Sequence, residues 1–129
     1  MPRCSACATR TEPRGRQLAD EAECAFEPLP EITSLDRFDL VVNATPLGMG
    51  DAEQSSPLPP RLYRSGMTVF EMVYRPAVTP FVADALAQGA TVIDGLEMFL
   101  HQAITQFALH TAKPAPREAM RRVLEEARA

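Results

Sequence analysis

The sequence predicts an α/β fold in which short, mainly parallel strands alternate with crossover helices. Compact apolar runs at residues 40–42, 67–73 and 91–93 have the length and composition of buried strands. Between these runs, apolar residues recur at the spacing of the core-facing side of a helix. This alternation is typical of a doubly wound parallel sheet, here a partial one with flanking helices and a C-terminal helical segment.

The first predicted elements are a strand, a helix and a second strand. Residues 4–9 are small and predicted to be extended, and Thr11 is the predicted N-cap of a helix with Pro13 in its first turn. A short extended piece follows at residues 24–26. Residues 48–66 are rich in glycine and proline and are predicted to form an exposed loop with little regular structure.

The later elements continue the alternation. A helix is predicted over residues 76–88 with Gly89 as its C-cap, and a long helix is predicted to begin after Asp94 and Gly95. The Lys-Pro-Ala-Pro run at residues 113–116 ends that helix, because proline cannot continue it. A last amphipathic helix is predicted over residues 117–127.

Charge and hydropathy exclude two classes of partner. The chain of 129 residues has a formal net charge of -4, so no global positive field attracts nucleic acid. No apolar stretch reaches the roughly 20 residues that a membrane helix needs, and Met1 is not followed by an apolar signal core. We therefore predict no nucleic-acid or membrane partner, and a cytoplasmic location.

The cysteines indicate neither a disulfide framework nor a metal site. Cys4, Cys7 and Cys24 are an odd number without a secretory signal, which argues against paired disulfides. Cys4 and Cys7 form a C-x-x-C, but the other candidate ligands are scattered without ligand spacing. We interpret the cysteines as small buried side chains and predict no metal, with metal or redox use as the alternative.

The beginning of the chain lacks the usual start of a nucleotide-binding sheet. Such a sheet opens with a strand, a glycine-rich turn and a helix whose free N–H groups hold the pyrophosphate. The chain has 6 glycines, none of them in a G-x-G-x-x-G pattern. We interpret its first predicted strand as the second strand of such a unit, so that Met1 lies within an ancestral domain.

The first candidate site lies at the end of that strand. In dinucleotide-binding folds the tip of the second strand meets the adenosine ribose, and arginine with hydroxyl donors accepts a 2′-phosphate there. Thr9, Arg10, Thr11 and Arg14 have this composition. The alternative is a solvated helix start with ordinary surface arginines.

Three further segments follow strand ends, where ligands of open α/β sheets bind. Asn43, Ala44 and Thr45 end one strand, with an ordinary turn as the alternative. Tyr74 ends the next, with a core tyrosine as the alternative. Met98 and Gln102 share a helix face beyond Gly95, with a surface amide as the alternative. His101 and His110 are predicted to be surface histidines rather than general bases.

The four segments in order resemble shikimate dehydrogenase, the NADP-dependent enzyme that interconverts 3-dehydroshikimate and shikimate. Members carry N-R-T, N-A-T-x-x-G-M, D-x-x-Y-x-P-x-x-T-P and D-G-x-x-M-L-x-x-Q, which resemble residues 9–11, 43–49, 71–80 and 94–102. Among the departures from the pattern, Thr9 stands for asparagine and Glu71 for aspartate.

The resemblance implies a truncated Rossmann-like NADP-binding domain over residues 1–112 and a C-terminal helix over residues 113–129. Its implied cofactor-binding residues are Thr9, Arg10, Thr11, Arg14, Asn43, Ala44, Thr45, Met72, Gly95 and Met98. Met72, Gly95 and Met98 would border the nicotinamide. Tyr74 and Gln102 would bind shikimate or 3-dehydroshikimate.

The resemblance also implies a role in aromatic amino acid biosynthesis, through the chorismate branch. The family's catalytic lysine and aspartate lie in an amino-terminal domain without a counterpart here, so no catalytic residue is predicted and the chain alone is expected to be inactive. The alternatives are a noncatalytic nucleotide-binding remnant and a quinate/shikimate dehydrogenase-like module that needs a partner chain. An uncovered sheet edge and apolar face would favour a homo-oligomer or a separate amino-terminal half.

Overall fold

The computed structural model describes residues 5–50 and 55–128 of the chain. Over these residues the elements are, in order, β1 (Ala6–Thr9), α1 (Glu12–Glu21), β2 (Ala25–Pro28), β3 (Leu40–Asn43), β4 (Thr68–Glu71), α2 (Pro80–Ala87), β5 (Thr91–Ile93), α3 (Gly95–Thr111) and α4 (Arg117–Arg128). One-turn 3-10 helices lie at Leu29–Glu31 and Pro60–Leu62. The order of strands and helices follows the α/β prediction, except that no α-helix lies between β2 and β4 in the described residues.

The strands are parallel and form two small sheets. β1 pairs with β2, and β3, β4 and β5 form the second sheet with β4 in the centre. Parallel neighbours need a crossover connection. Helix α1 supplies it between β1 and β2 and helix α2 between β4 and β5, whereas the described residues between β3 and β4 contain only a one-turn 3-10 helix. The predicted α/β fold class with a partial, mainly parallel sheet is confirmed.

The main core lies between the second sheet and α2. Met67, Val69 and Phe81 are almost completely buried there, and the ring of Tyr63 meets that of Phe81 edge-on at 5.6 Å. Leu58, Leu62 and Tyr63 of this core belong to the segment that was predicted to be an exposed loop. That prediction is wrong for Leu58, Leu62 and Tyr63, because their large apolar side chains pack inward, whereas Pro60 and Arg61 between them are exposed as predicted.

The prediction that residues 40–42 form a buried strand is correct for the strand but wrong for its burial. Leu40 and Val42 are 53% and 46% exposed, whereas Val41 between them packs against the core. Successive side chains of a strand point to opposite faces of the sheet, and α2 covers only one of these faces. Ile93 of β5 is also 41% exposed, so the expected uncovered apolar face is present.

The helix predicted over residues 76–88 begins four residues later, at Pro80. Thr79 is extended and its hydroxyl accepts a hydrogen bond from the N–H of Val82, which makes it the N-cap. A residue before proline is biased away from the helical region, so the helix starts after Thr79 rather than at Pro76. Gly89, with a φ of 75°, follows the end of α2 as predicted.

The two last helices pack against each other. Asp94 caps α3 by accepting from the N–H of Glu97 at 3.1 Å. Arg121 of α4 donates to both carboxylate oxygens of Glu97, at 2.6 and 3.0 Å, and Arg128 donates to Asp94 at 2.8 Å. The described helices include none that is long and apolar enough to cross a bilayer.

Candidate functional site

The structure brings the first two predicted segments together in one cleft of about 630 Å³. The cleft lies at the carboxyl ends of β1 and β3, where ligands of parallel sheets bind. Six of the predicted site residues line it: Thr9, Arg10, Thr11, Arg14, Ala44 and Thr45. Pro46, Leu47, Gln17, Leu18, Glu21 and Leu29 complete the lining. We call it the strand-tip cleft.

The β1 side of this cleft is a turn that leads into a helix N-terminus. The Thr9 hydroxyl donates to the carbonyl oxygen of Thr11 at 2.9 Å, so it shapes the turn. Thr11 is the N-cap residue as predicted, but its side chain makes no capping hydrogen bond, which leaves its exposed hydroxyl at the cleft. Arg10 and Arg14 are exposed around the same helix start. Helix N-termini favour anions, and two guanidinium groups add to this preference.

The β3 side of the cleft is a locked turn. Asn43 is only 2% exposed, and its Oδ1 accepts from the Thr45 N–H at 3.1 Å and from the Thr45 hydroxyl at 2.7 Å. The Thr45 oxygen accepts in turn from the Leu47 N–H at 3.3 Å. These bonds commit the Asn43 side chain to the protein, so it positions Ala44 and Thr45, which reach the cleft.

A buried carboxylate that sequence reasoning did not assign to the site holds the tips of β3 and β4 together. Glu71 is 1% exposed and accepts from Asn43 Nδ2 at 3.0 and 3.2 Å, from the Val73 N–H at 3.0 Å and from the Thr79 hydroxyl at 2.7 Å. Gly48 packs on Thr79, because a Cβ at Gly48 would lie 3.0 Å from Thr79 Cβ. We call this set of hydrogen bonds around Glu71 a hub. Its sequence signal is an acidic residue inside an apolar strand, with a Thr-Pro pair several residues later.

The β4 end continues into the start of α3. A Cβ on Gly95 would lie 2.4 Å from the carbonyl oxygen of Val73 and 2.7 Å from the nitrogen of Tyr74, so only glycine allows this approach. Tyr74 stacks on Phe99 of α3 with 5.1 Å between ring centroids. The Tyr74 and Met72 side chains are 47% and 40% exposed. The alternative of a core tyrosine therefore does not hold for Tyr74.

Met98 and Gln102 line a second cleft, of about 880 Å³, on α3. Phe70, Ile93, Glu97 and His101 are among its other lining residues. Met72, Tyr74 and Gly95 line neither this cleft nor the strand-tip cleft. The predicted site residues therefore do not share one cleft: one group lies at the tips of β1 and β3 and the other in the β4–α3 region, where only Met98 and Gln102 line a cleft. Hydrogen bonds between the β3 and β4 tips, including Met72 N–H to the Asn43 carbonyl at 3.2 Å, connect the two groups.

Two arginines of α4 pair with the two carboxylates at the start of α3. The Arg121 guanidinium lowers the pKa of Glu97 below its ordinary value. Burial acts to raise the pKa of Asp94, but the hydrogen bonds from Arg128 and from the Glu97 N–H outweigh it, so the net shift is downward. Both carboxylates are therefore ionised partners of α4 at neutral pH.

The strand-tip cleft and the β4–α3 region offer different groups to the parts of NADP. The strand-tip cleft offers two guanidinium groups, a hydroxyl and a helix N-terminus, which is the donor set that a 2′-phosphate needs. The exposed thioether of Met72 gives an apolar surface that suits a flat aromatic ring, whereas Gly95 is buried against the backbone of Val73 and Tyr74. The sequence has no G-x-G-x-x-G loop for the pyrophosphate.

The chain is similar to known proteins over nearly its whole length. A sequence model described as Shikimate 5'-dehydrogenase C-terminal domain matches residues 95–125. The NADP(+) shikimate dehydrogenase of Moorella thermoacetica is 39% identical over an alignment of 129 positions. The alignment covers 93% of this chain and 44% of that protein. The chain thus spans less than half the length of this relative.

Solved structures share the fold. Shikimate 5-dehydrogenase from Thermus thermophilus in complex with NADP(H) and shikimate superposes with a TM-score of 0.82 at 32% identity, covering 95% of this chain and 45% of that one. Quinate dehydrogenase from Corynebacterium glutamicum in complex with NAD has a TM-score of 0.82 at 26% identity, covering 96% and 46% of the two chains. The neighbours confirm a Rossmann-like fold.

Proposed function

Because the chain belongs to the shikimate dehydrogenase family, as the counterpart of the carboxy-terminal part of its members, we propose that it is the NADP(H)-binding part of a shikimate dehydrogenase. The observation that supports this proposal most strongly is the strand-tip cleft, where Arg10 and Arg14 lie beside Ala44 and Thr45. The segments come from two different sheets, so their convergence does not follow from sequence order alone.

The proposed division of labour follows the two groups of residues. Arg10, Thr11 and Arg14 bind the 2′-phosphate, and Thr45 lies along the adenosine side. Bound NADP(H) would supply the hydride for the keto carbon of 3-dehydroshikimate, and the lysine and aspartate that the resemblance implies for the amino-terminal part of the family would handle the proton. The residues of this chain bind and orient.

The β4–α3 residues form the second half of the proposed site. Met72, Gly95 and Met98 border the nicotinamide, and Tyr74 and Gln102 offer a phenol and an amide to the hydroxyl or carboxylate groups of shikimate. Tyr74 keeps its ring in place by stacking on Phe99, so its hydroxyl needs little further ordering to bind a ligand. No residue of this chain is assigned a catalytic role.

Comparison of NADPH with NADH tests the phosphate site. The two nucleotides differ only in the 2′-phosphate, so Arg14→Ala should weaken NADPH binding by about tenfold and leave NADH binding unchanged, because a charge-assisted hydrogen bond contributes about 1.5–3 kcal/mol. Arg10→Ala should act in the same way. Binding is measured by fluorescence titration of NADPH at low ionic strength, since salt screens such contacts.

Arg16→Ala is the matched control. Arg16 lies on the same helix but pairs with Glu12 at 2.6 Å and does not line the cleft. It should change binding of NADPH and NADH equally and slightly. Two results would favour a noncatalytic remnant. One is an equal loss of NADPH binding in Arg14→Ala and Arg16→Ala, and the other is the absence of saturable NADPH binding to the unmodified chain at millimolar concentration.

A specific observation favours the alternative of a module that needs a partner chain. A cleft separates the two sheets, lined by Ala6 and Ala8 of β1 and by Leu40 and Val42 of β3. In the described residues β1 pairs only with β2, and β3 only with β4, so each sheet has an open edge at this cleft. An unpaired edge is a template for another strand. We propose that a strand from an amino-terminal half fills it.

Complementation tests this proposal. The amino-terminal part of the Moorella thermoacetica relative, mixed with this chain, should give shikimate-dependent reduction of NADP, whereas the chain alone should give none. Assays with shikimate and with quinate as separate substrates decide between the two substrate classes. Absence of both complex and activity would contradict the split arrangement.

Leu40→Lys separates docking from folding. Leu40 is 53% exposed, so lysine is tolerated in the chain alone, but its charge would be buried once a strand docks. The variant should fold normally and fail to complement. Leu109→Lys on α3, where Leu109 is 79% exposed, is the control and should complement fully. Normal complementation by Leu40→Lys would overturn the docking site.

A further inference from the structure

Two cysteines that the proposed function does not use face each other across the first sheet. Cys7 lies in β1, and Cys24 lies one residue before β2. Their Sγ atoms are 3.3 Å apart although the residues are 17 positions apart in sequence. The pairing differs from the C-x-x-C interpretation, whose Cys4 lies outside the described residues.

We propose that Cys7 and Cys24 form a reversible intramolecular disulfide that ties β1 to the start of β2. A disulfide needs its sulfur atoms at about 2.05 Å, so the two sulfurs must close a gap of little more than an ångström, which a rotation about χ1 or a small strand shift provides. Both side chains are half-buried rather than sealed, so a small oxidant reaches them.

The surroundings favour this pair over an isolated thiol. Burial raises the pKa of Cys7 and the neighbouring Cys24 raises it further, so the two thiols interact, although the raised pKa lowers the thiolate fraction of Cys7 at neutral pH. Cys7 pairs in register with Phe26, and the Ala25 N–H donates to the Ser5 carbonyl at 3.2 Å, so backbone pairing holds the two strands in place on both sides of the cysteines. Proximity in the folded chain converts the second exchange step into an intramolecular one.

The proposed oxidant is a small-molecule disulfide such as oxidised glutathione. One cysteine thiolate attacks a glutathione sulfur, which forms a mixed disulfide and releases one glutathione thiolate. The second cysteine loses its proton to solvent and attacks the protein sulfur of the mixed disulfide, which releases the second glutathione. The sum is two protein thiols and one glutathione disulfide converted to one protein disulfide and two glutathione thiols, and excess reduced glutathione reverses it.

The first test uses a Cys4→Ser variant of the whole chain, in which any internal disulfide must join Cys7 to Cys24. The variant is equilibrated without oxygen in glutathione buffers of graded ratio, quenched in acid, alkylated and weighed by mass spectrometry. Disulfide formation removes two hydrogens and blocks both alkylation sites. The equilibrium constant should be at least about tenfold higher in native buffer than in concentrated urea, because folding holds the thiols together.

Two variants provide the controls. Cys7→Ser and Cys24→Ser, each in the Cys4→Ser background, should form only the mixed disulfide with one glutathione. Oxidation of the Cys4→Ser chain should also raise its thermal midpoint by roughly 10 °C, since a cross-link over about 17 residues restricts the unfolded chain. This rise should be absent in both controls.

Several results would overturn the proposal. These are equal equilibrium constants in native buffer and urea, glutathione adducts without an internal disulfide, and a disulfide that joins two molecules. If the serine variants do not fold, peptide mapping of the unmodified chain decides the matter, because a Cys4–Cys7 or Cys4–Cys24 link in place of Cys7–Cys24 contradicts it. NADPH binding is not a readout here, so this test stands apart from that of the proposed function.

Discussion

Replacement of Glu71 tests whether its buried hydrogen bonds hold the candidate site together. Its two carboxylate oxygens receive three donors, from Asn43, Val73 and Thr79, and the side chain is 1% exposed. In Glu71→Gln, an amide NH₂ must occupy one of the two oxygen positions and face groups that themselves donate. The Thr79 hydroxyl can rotate to accept, so the amide nitrogen should turn towards Thr79.

The expected magnitude follows from this geometry. Hydrogen bonds to a charged group contribute about 1.5–3 kcal/mol each, and a neutral amide retains only part of this for the two donors that keep an oxygen. We expect Glu71→Gln to lower the free energy of unfolding by about 2–3 kcal/mol. Glu71→Ala leaves all three donors without an acceptor and creates a cavity, so it should cost about 4 kcal/mol or more.

Urea unfolding followed by far-UV circular dichroism measures both variants. Glu126→Gln on α4 removes an exposed carboxylate and should change the free energy of unfolding by less than about 0.5 kcal/mol. Because Asn43 positions Thr45, Glu71→Gln should also weaken NADPH binding more than its stability loss explains. A Glu71→Gln variant as stable as the Glu126→Gln control would refute the view that this hub is held by its carboxylate.

Three further predictions concern other parts of the chain. Gly95→Ala should lower the free energy of unfolding by about 1–3 kcal/mol in urea titrations, because its Cβ would lie 2.4 Å from the Val73 carbonyl oxygen. Burial raises the pKa of Tyr63 from 10.0 to about 12. The stability that Tyr63 contributes should therefore be complete below pH 10 and should fall between pH 10 and pH 12, because the phenol ionises first in the unfolded chain. Tyr63→Phe should abolish this pH dependence in thermal scans. Arg121 lowers the pKa of Glu97. The Glu97–Arg121 pair should therefore stabilise α4 docking at neutral pH, and this contribution should be lost as pH falls through the acidic range. Arg121→Gln should remove this pH dependence from the hydrogen exchange of α4.

Each of these predictions has a matched comparison. His110→Ala is an exposed change on the same helix as Gly95 and should have little effect, and a similar loss in both variants would contradict the close-approach interpretation. Tyr74→Phe should retain the alkaline slope, and a slope that survives in Tyr63→Phe would exclude Tyr63 as its source. Arg122→Gln should leave the acid dependence of α4 intact, and equal behaviour of Arg121→Gln and Arg122→Gln would contradict a specific Glu97 pair.

Local signals in the sequence predicted most element positions. The strand at residues 91–93 agrees with β5, and Thr11 and Gly89 flank helices where their turn chemistry indicated. These signals succeed because capping and turn formation involve residues within a few positions of each other. The start of α2 was the exception, since Thr79 and Pro80 form a stronger helix start than Pro76.

Burial was predicted less well than element type. Apolar composition suggested that Leu40 and Val42 were buried, and glycine and proline content suggested that Leu58 and Tyr63 lay in an exposed loop. Both predictions were wrong. Burial depends on what covers a residue, which is decided by elements far along the chain. A helix covers only one face of the second sheet, and no local pattern encodes which face that is.

The sequence by itself determined the α/β order, the basic segment after the first strand and the small residues that permit close turns, because these depend on neighbouring residues. Only the tertiary structure decided which distant groups meet. Glu71 contacts Asn43 across 28 positions, Arg121 contacts Glu97 across 24, and Cys7 contacts Cys24 across 17. Contacts at such separations arise from parallel strand pairing and helix packing, which bring side chains together without any fixed spacing between them in the sequence.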